Sequence, residues 1–137
     1  MNINEKNTEE YEKIQILVFK MNETRIGINV EQISIILKHE EAKEKELQIF
    51  NFQDKLPFRE DCTNLKSPRV LVLKEENMTS GIVVEQPEDI IHITIDSIQP
   101  LPPLIETYHR SGLFWGGTVI NREIVILVDF YKLLEKK

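Results

Sequence analysis

The amino-acid sequence predicts a mainly β protein of the barrel type, with two short helices. Three observations carry that prediction. Short apolar segments of three to seven residues recur along the chain, about eight of them. Turn-forming residues separate most of them at hairpin distance. At 137 residues the chain suits one domain, or two very small lobes that share a core, and not two independent domains.

Residues 1–13 are polar and mostly charged and read as a flexible tail. Ile14 to Lys20 then places Ile14, Ile16 and Val18 on one face and Leu17 and Phe19 on the other, the pattern of a strand buried on both sides. Met21 to Thr24 forms a turn, and Arg25 to Asn29 returns as the second arm of a hairpin. Asn29 can cap a helix, with Gln32 in the capping-box position, and Val30, Ile33, Ile36 and Leu37 fall at helical spacing. A short helix is therefore expected over residues 30–37. Lys38 to Glu46 mixes acidic and basic side chains and offers almost nothing to a core, so it reads as a solvated helical extension or a surface loop.

Leu47 to Phe52 is a further strand, and residues 56–68, with two prolines and no period, read as loop. Arg69 to Leu73 and Gly81 to Glu85 form a hairpin, and Ile91, Ile93 and Ile95 align on one face of the next strand. Pro100 to Pro103 is extended by the restrictions of proline and its predecessor. Thr118 to Ile120 and Ile124 to Val128 flank a tight Asn121-Arg122-Glu123 turn. Asp129 caps a last short helix whose apolar side carries Phe130, Leu133 and Leu134.

Composition excludes several functions. The chain has 17 basic and 23 acidic side chains and a formal net charge of -6, which disfavours nucleic acid and anionic membrane surfaces as partners. No run of 18 or so apolar residues is present and the first residues are polar, so neither a membrane span nor a signal peptide is expected. The single cysteine, Cys62, cannot form an internal disulfide, and a cytoplasmic protein is the expectation. His39, His92 and His109 are far apart, and none stands at metal-ligand spacing with another histidine or cysteine. Glu85, Glu88 and Asp89 read as a solvated turn, because nothing nearby would raise a carboxyl pKa. No phosphate-binding glycine loop, nucleophile elbow or HExxH pattern occurs. Neither an enzyme, a metal nor a cofactor is expected.

The order of the elements resembles the CheW-like domain, the adaptor fold of bacterial and archaeal chemotaxis systems. Ile16 to Phe19, the turn, Ile26-Gly27-Ile28 and the segment Val30 to Leu37 carry the N-terminal likeness. Gly81 to Ile90 is similar to the family's GxxVDxVxDV stretch, with Glu85 for its Asp. Ile98 to Pro102 follows as the family's proline-bearing linker does, and Gly117 to Leu134 is similar to its closing hairpin and helix.

The resemblance implies two small SH3-like β-barrels packed together, with residues 14–137 as one domain of two interdependent lobes. It also implies a non-catalytic adaptor that couples chemoreceptor signalling tips to the regulatory domain of the histidine kinase CheA. The sequence departs from the family at three places. The run Lys38 to Glu46 stands where members carry a segment ending near GVINLRG, so the first barrel is expected to be short of one strand. The strand end usually written VDLR reads Phe50-Asn51-Phe52-Gln53, and the family's glutamate before an isoleucine is replaced by Ile35, ahead of Ile36. These departures imply a changed partner set, and an open strand edge would invite a second copy of the chain.

The candidate partner contacts are Ile33, Ile35, Ile36, Leu37, Val84 and Val119. Ile35 is singled out because it lies off the stripe expected to pack on the barrel. Phe114 and Trp115 read as core closure, and the Gly116-Gly117 pair as a bend or bulge. The alternative function is a small molecule held between the two lobes, which a filled interior would rule out.

Overall fold

The structure, a computed structural model, describes residues 13–52, 65–77, 79–101 and 113–134. The expected tail, Cys62, His109 and most of the 56–68 loop lie outside these residues. Lys13, placed in the tail by composition, instead opens the first strand.

Among the described residues nine strands build two sheets. β1 (Lys13–Met21) and β2 (Thr24–Asn29) form the first hairpin, closed by the Met21–Thr24 pair. Both faces of β1 are buried, with Ile16, Leu17, Val18 and Phe19 each no more than 5% exposed. Leu17 and Phe19 face the second sheet, whereas Ile16 and Val18 fill the hollow of their own. The two-sided apolar pattern of this strand thus records its position between two cores.

From β2 the chain leaves the first sheet and builds the second from β3 (Ile33–Lys38), β4 (Gln48–Asn51), β5 (Pro68–Leu73) and β6 (Ser80–Glu85). It returns as β7 (Asp89–Thr94), β8 (Phe114–Ile120) and β9 (Glu123–Val128). The strand orders are β7-β1-β2-β9-β8 and β3-β5-β6-β4. Two parallel pairings, β2 with β9 and β4 with β6, join segments distant in sequence. The four-stranded sheet is the one whose strands flank the 38–46 run, where the missing strand was expected.

The expected helix over 30–37 is absent. Asn29 does cap a turn, its side chain accepting from the Glu31 N–H at 2.9 Å, but only Val30–Gln32 coils, as one 3-10 turn. From Ile33 the chain is β3, antiparallel to β5, with a register shift between Ile33 and Ile35. Three β-branched isoleucines within four residues favour extended backbone, and β5 supplies a ladder. Over so few residues, spacing at i, i+3 and i+4 does not separate helix from strand.

The helix comes later, as α1 (His39–Lys43), where Glu41 reaches back to the Lys38 N–H at 2.8 Å. Its Ala42 is fully buried, so the charged run does contribute one side chain to a core. α2 (Phe130–Leu133) ends the described chain, capped by Asp129, which accepts from the Tyr131 and Lys132 amides.

Among the described residues three apolar clusters hold the sheets together. The largest lies between the sheets and draws Phe19, Ile26 and Ile28 from one, Leu71, Ile82 and Val84 from the other, and Phe130 and Leu133 from α2. Phe19 and Phe52 meet there edge to face, with centroids 5.4 Å apart. The second cluster fills the five-stranded sheet and the third, with Leu37, Val70, Val72 and Ala42, fills the four-stranded one.

Candidate partner-binding surfaces

The structure separates the six candidate residues into core and surface. Val84 is fully buried in the central cluster, Leu37 is 6% exposed inside the second sheet, and Ile33 is half-buried against the central cluster. Val84 and Leu37 therefore cannot meet a partner in this fold, and they drop out of the set. Apolar character alone does not distinguish a buried strand position from an exposed one.

Ile35, Ile36 and Val119 are on the surface, at 49%, 41% and 61% exposure. Successive strand residues normally alternate between faces, but the shift in register at Ile33/Ile35 leaves two adjacent isoleucines exposed. β3 is bonded on one side only, by β5, so this pair stands at a sheet edge among the described residues. Val119 lies elsewhere, on β8 in the other sheet, directly opposite Ile124, which is 63% exposed. Sequence reasoning missed Ile124 because its strand is otherwise buried and alternation alone gives no reason for that face to be uncovered at its end.

Polar groups tie the surface elements together. Gln32 donates to Asp129 at 3.0 Å and accepts from the Phe130 N–H at 2.9 Å, locking the 3-10 turn before β3 onto the start of α2. Tyr131 donates its hydroxyl to the Lys74 carbonyl at 2.6 Å, fixing α2 to the end of β5. Glu85 accepts from the Lys66 and Ser67 amides at 2.9 and 3.0 Å, so it secures the segment entering β5 instead of lying free in a turn. Arg25 is held by two carboxylates, Glu88 at 2.9 Å and Glu123, which joins β2 to the entry of β7 and to β9.

His92 is exposed and its ring lies 3.1 Å from the Gln15 amide nitrogen. Trp115 is half-buried against the second cluster, and Gly116, at φ 150°, lies at the bulge expected of the glycine pair. Among the described residues no three His, Cys, Asp or Glu side chains come together as a metal site, and no helix is long and apolar enough to cross a membrane.

Among the described residues the largest apolar cluster lies between the sheets, and it lends the alternative of a ligand held there no support. Open depressions lined by described residues lie elsewhere. One, of about 300 Å³, opens beside Arg25 over Val18, Ile91 and Val125. Another, of about 500 Å³, runs along the β8–β9 tip past Leu101, Ile124 and Arg122.

These features define a small two-sheet β protein with filled cores and apolar side chains displayed at strand edges and tips, the build of an interaction module. The chain belongs to the CheW-like domain family, whose model matches residues 41–137. In overall fold it is similar to the scaffolding protein TtCheW from Thermoanaerobacter tengcongensis, with a TM-score of 0.73 and 16% identity over 90% of this chain and 89% of the other. A search of curated proteins gives no match. The likeness to the solved structure bears out a mainly β fold of two curled SH3-like sheets with two short helices.

Proposed function

We propose that this chain is a non-catalytic, cytoplasmic adaptor of chemotaxis signalling that couples a chemoreceptor signalling tip to the regulatory domain of CheA. Family membership supports the scaffold role, and one observation supports a contact at the edge of the second sheet. Ile35 and Ile36 are adjacent, exposed and at the edge of the second sheet. Two large apolar side chains standing together at an edge call for a cover, since such edges otherwise promote aggregation. Ile35 occupies the place of a glutamate in the resembling family pattern, so the opposing surface here is apolar where a cation would otherwise be expected.

A pull-down of the CheA regulatory domain and of a receptor signalling tip tests this reading. The wild-type chain captures at least one of them at tens of micromolar protein, and Ile35→Asp with Ile36→Asp captures neither. Failure of the wild type to capture either partner removes the adaptor role. The same edge could pair with a second copy of the chain, and sedimentation at the same concentration distinguishes that outcome by a doubled mass.

A further inference from the structure

β3 carries one residue more than its partner strand can match. At its front the Lys74 N–H donates to the Gln32 carbonyl at 2.8 Å, and at its back Lys38 lies opposite Arg69. Between these two points the chain has seven residues, Gln32 to Lys38, against six on the β5 side, Arg69 to Lys74. The surplus appears as the shift in register between Ile33 and Ile35.

That bulge decides which side chains the central cluster receives. Ile33 lies opposite Leu73 and Ile36 opposite Leu71, both of the central cluster, while Ile35 and Leu37 lie opposite Val72 and Val70 of the third. In an unbroken ladder Ile33 would share a face with Ile35 and Leu37, and Ser34 would take its place toward the central cluster. A bulge interrupts the ladder and bends the strand, so the bulged form persists only where both ends are held.

Both ends of β3 are held. Behind it, Glu41 accepts from the Lys38 N–H at 2.8 Å, and the fully buried Ala42 fixes α1 in the third cluster beside Leu37. In front, the hold comes from α2. The Gln32 side chain donates to Asp129 at 3.0 Å and accepts from the Phe130 N–H at 2.9 Å, and Phe130 is itself fully buried in the central cluster. Tyr131 donates its hydroxyl at 2.6 Å to the carbonyl of Lys74, the residue whose N–H holds the Gln32 backbone. Gln32, Lys74 and the first residues of α2 therefore close a ring of hydrogen bonds. Glutamine suits the place, because one amide group both donates to a carboxylate and accepts from a backbone N–H.

We propose that Gln32 is a positioning residue for the β3 edge, through which α2 holds the bulge that aims Ile35 and Ile36. Without that hold the surplus residue passes into the 3-10 turn, β3 runs as an unbroken ladder, and Ile33 leaves the central cluster. The effect on a partner rests on the β3 edge being the docking surface, whereas the register belongs to the free chain.

Two readouts test this. Cross-strand nuclear Overhauser contacts in the isotopically labelled full chain give the register. Calorimetric titration with the CheA regulatory domain and with a receptor signalling tip gives the affinity. In the wild type Ile33 contacts Leu73. In Gln32→Ala, Ser34 stands opposite Leu73 while Ile36 stays opposite Leu71, and affinity falls about fivefold or more, the lower end of ordinary coupling between sites. Gln32→Glu, which sets a second carboxylate against Asp129, does the same. Adding Asp129→Asn to it restores both readouts, because the donor then lies on the other side of the same bond. Gly27→Ala, which disturbs a different cluster, moves neither, so lost stability alone does not produce the effect. Tyr131→Phe, which opens the ring but leaves Gln32 in place, broadens the resonances of residues 33–35 and serves where Gln32→Ala does not fold. A wild-type register in folded Gln32→Ala, no rescue by the double variant, sharp wild-type resonances in Tyr131→Phe, or a shifted register in Gly27→Ala overturns the proposal. So does unchanged affinity in a variant whose register has shifted. A shifted register in Gln32→Ala, with a wild type that binds neither partner, overturns the adaptor reading and leaves the role of Gln32 in the register standing.

Discussion

Gly27 lies where β2 is pressed between β1 and β9. A Cβ there would stand 2.6 Å from the Ile16 side chain and 3.0 Å from those of Leu127 and Val125. These neighbours belong to the filled hollow of the first sheet and have no room to retreat. Gly27→Ala should therefore destabilise the protein by about 1–3 kcal/mol in urea unfolding, an overpacking cost. Arg122 has the opposite sign: Arg122→Gly relieves a left-handed non-glycine residue and should stabilise by about 1 kcal/mol in the same assay. At this scale the caps were legible, since Asn29 and Asp129 act on amides two or three residues away. The role of Gln32 was not legible. Its spacing from Asn29 suggests a capping box, yet it bonds Asp129 and Phe130 across the fold. Gln32→Ala strands the buried end of α2 and should cost about 1–3 kcal/mol.

Strands were legible wherever apolar runs were bounded by turn residues, and eight of the nine follow from that pattern. β3 was not, because Ile33, Ile36 and Leu37 satisfy helical spacing while the partner strand that decides the matter, β5, begins thirty residues after β3 ends. The two assignments make different predictions. A helix packed through Ile33, Ile36 and Leu37 would bury Ile36. In the strand Ile36 is 41% exposed and Leu37 only 6%. Ile36→Thr should accordingly change stability by less than about 1 kcal/mol, whereas Leu37→Ala should cost about 2–5 kcal/mol. Denaturant midpoints of the two variants check this, and a large cost at Ile36 would restore the helix. The same uncertainty of face explains why Val84 and Leu37 entered the candidate surface: alternation shows that one face is apolar but not whether another sheet lies on it.

In the whole molecule the first sheet gathers both ends of the described chain, and the second is built from the continuous stretch between β2 and β7. Each sheet fills its own hollow, but the largest cluster belongs to both and includes α2. Neither sheet can bury that surface alone, so unfolding should be a single cooperative transition. Trp115 fluorescence, which reports on the first sheet, should coincide with far-ultraviolet circular dichroism from both, and two separated transitions would contradict a shared core. The order of elements was enough to reveal the family, because hairpins and caps leave local marks. The partner surface depended on which faces the other sheet covers, a long-range property that no single segment encodes. The central claim is that the exposed Ile35–Ile36 edge binds a signalling partner. It is tested most directly by calorimetric titration of the folded chain with the CheA regulatory domain and with a receptor signalling tip. The wild type should bind at least one with a Kd on the order of tens of micromolar or tighter, and Ile35→Asp with Ile36→Asp, folded by circular dichroism, should lose about tenfold or more. Absence of binding by the wild type, or equal affinity of the folded double variant, would contradict it.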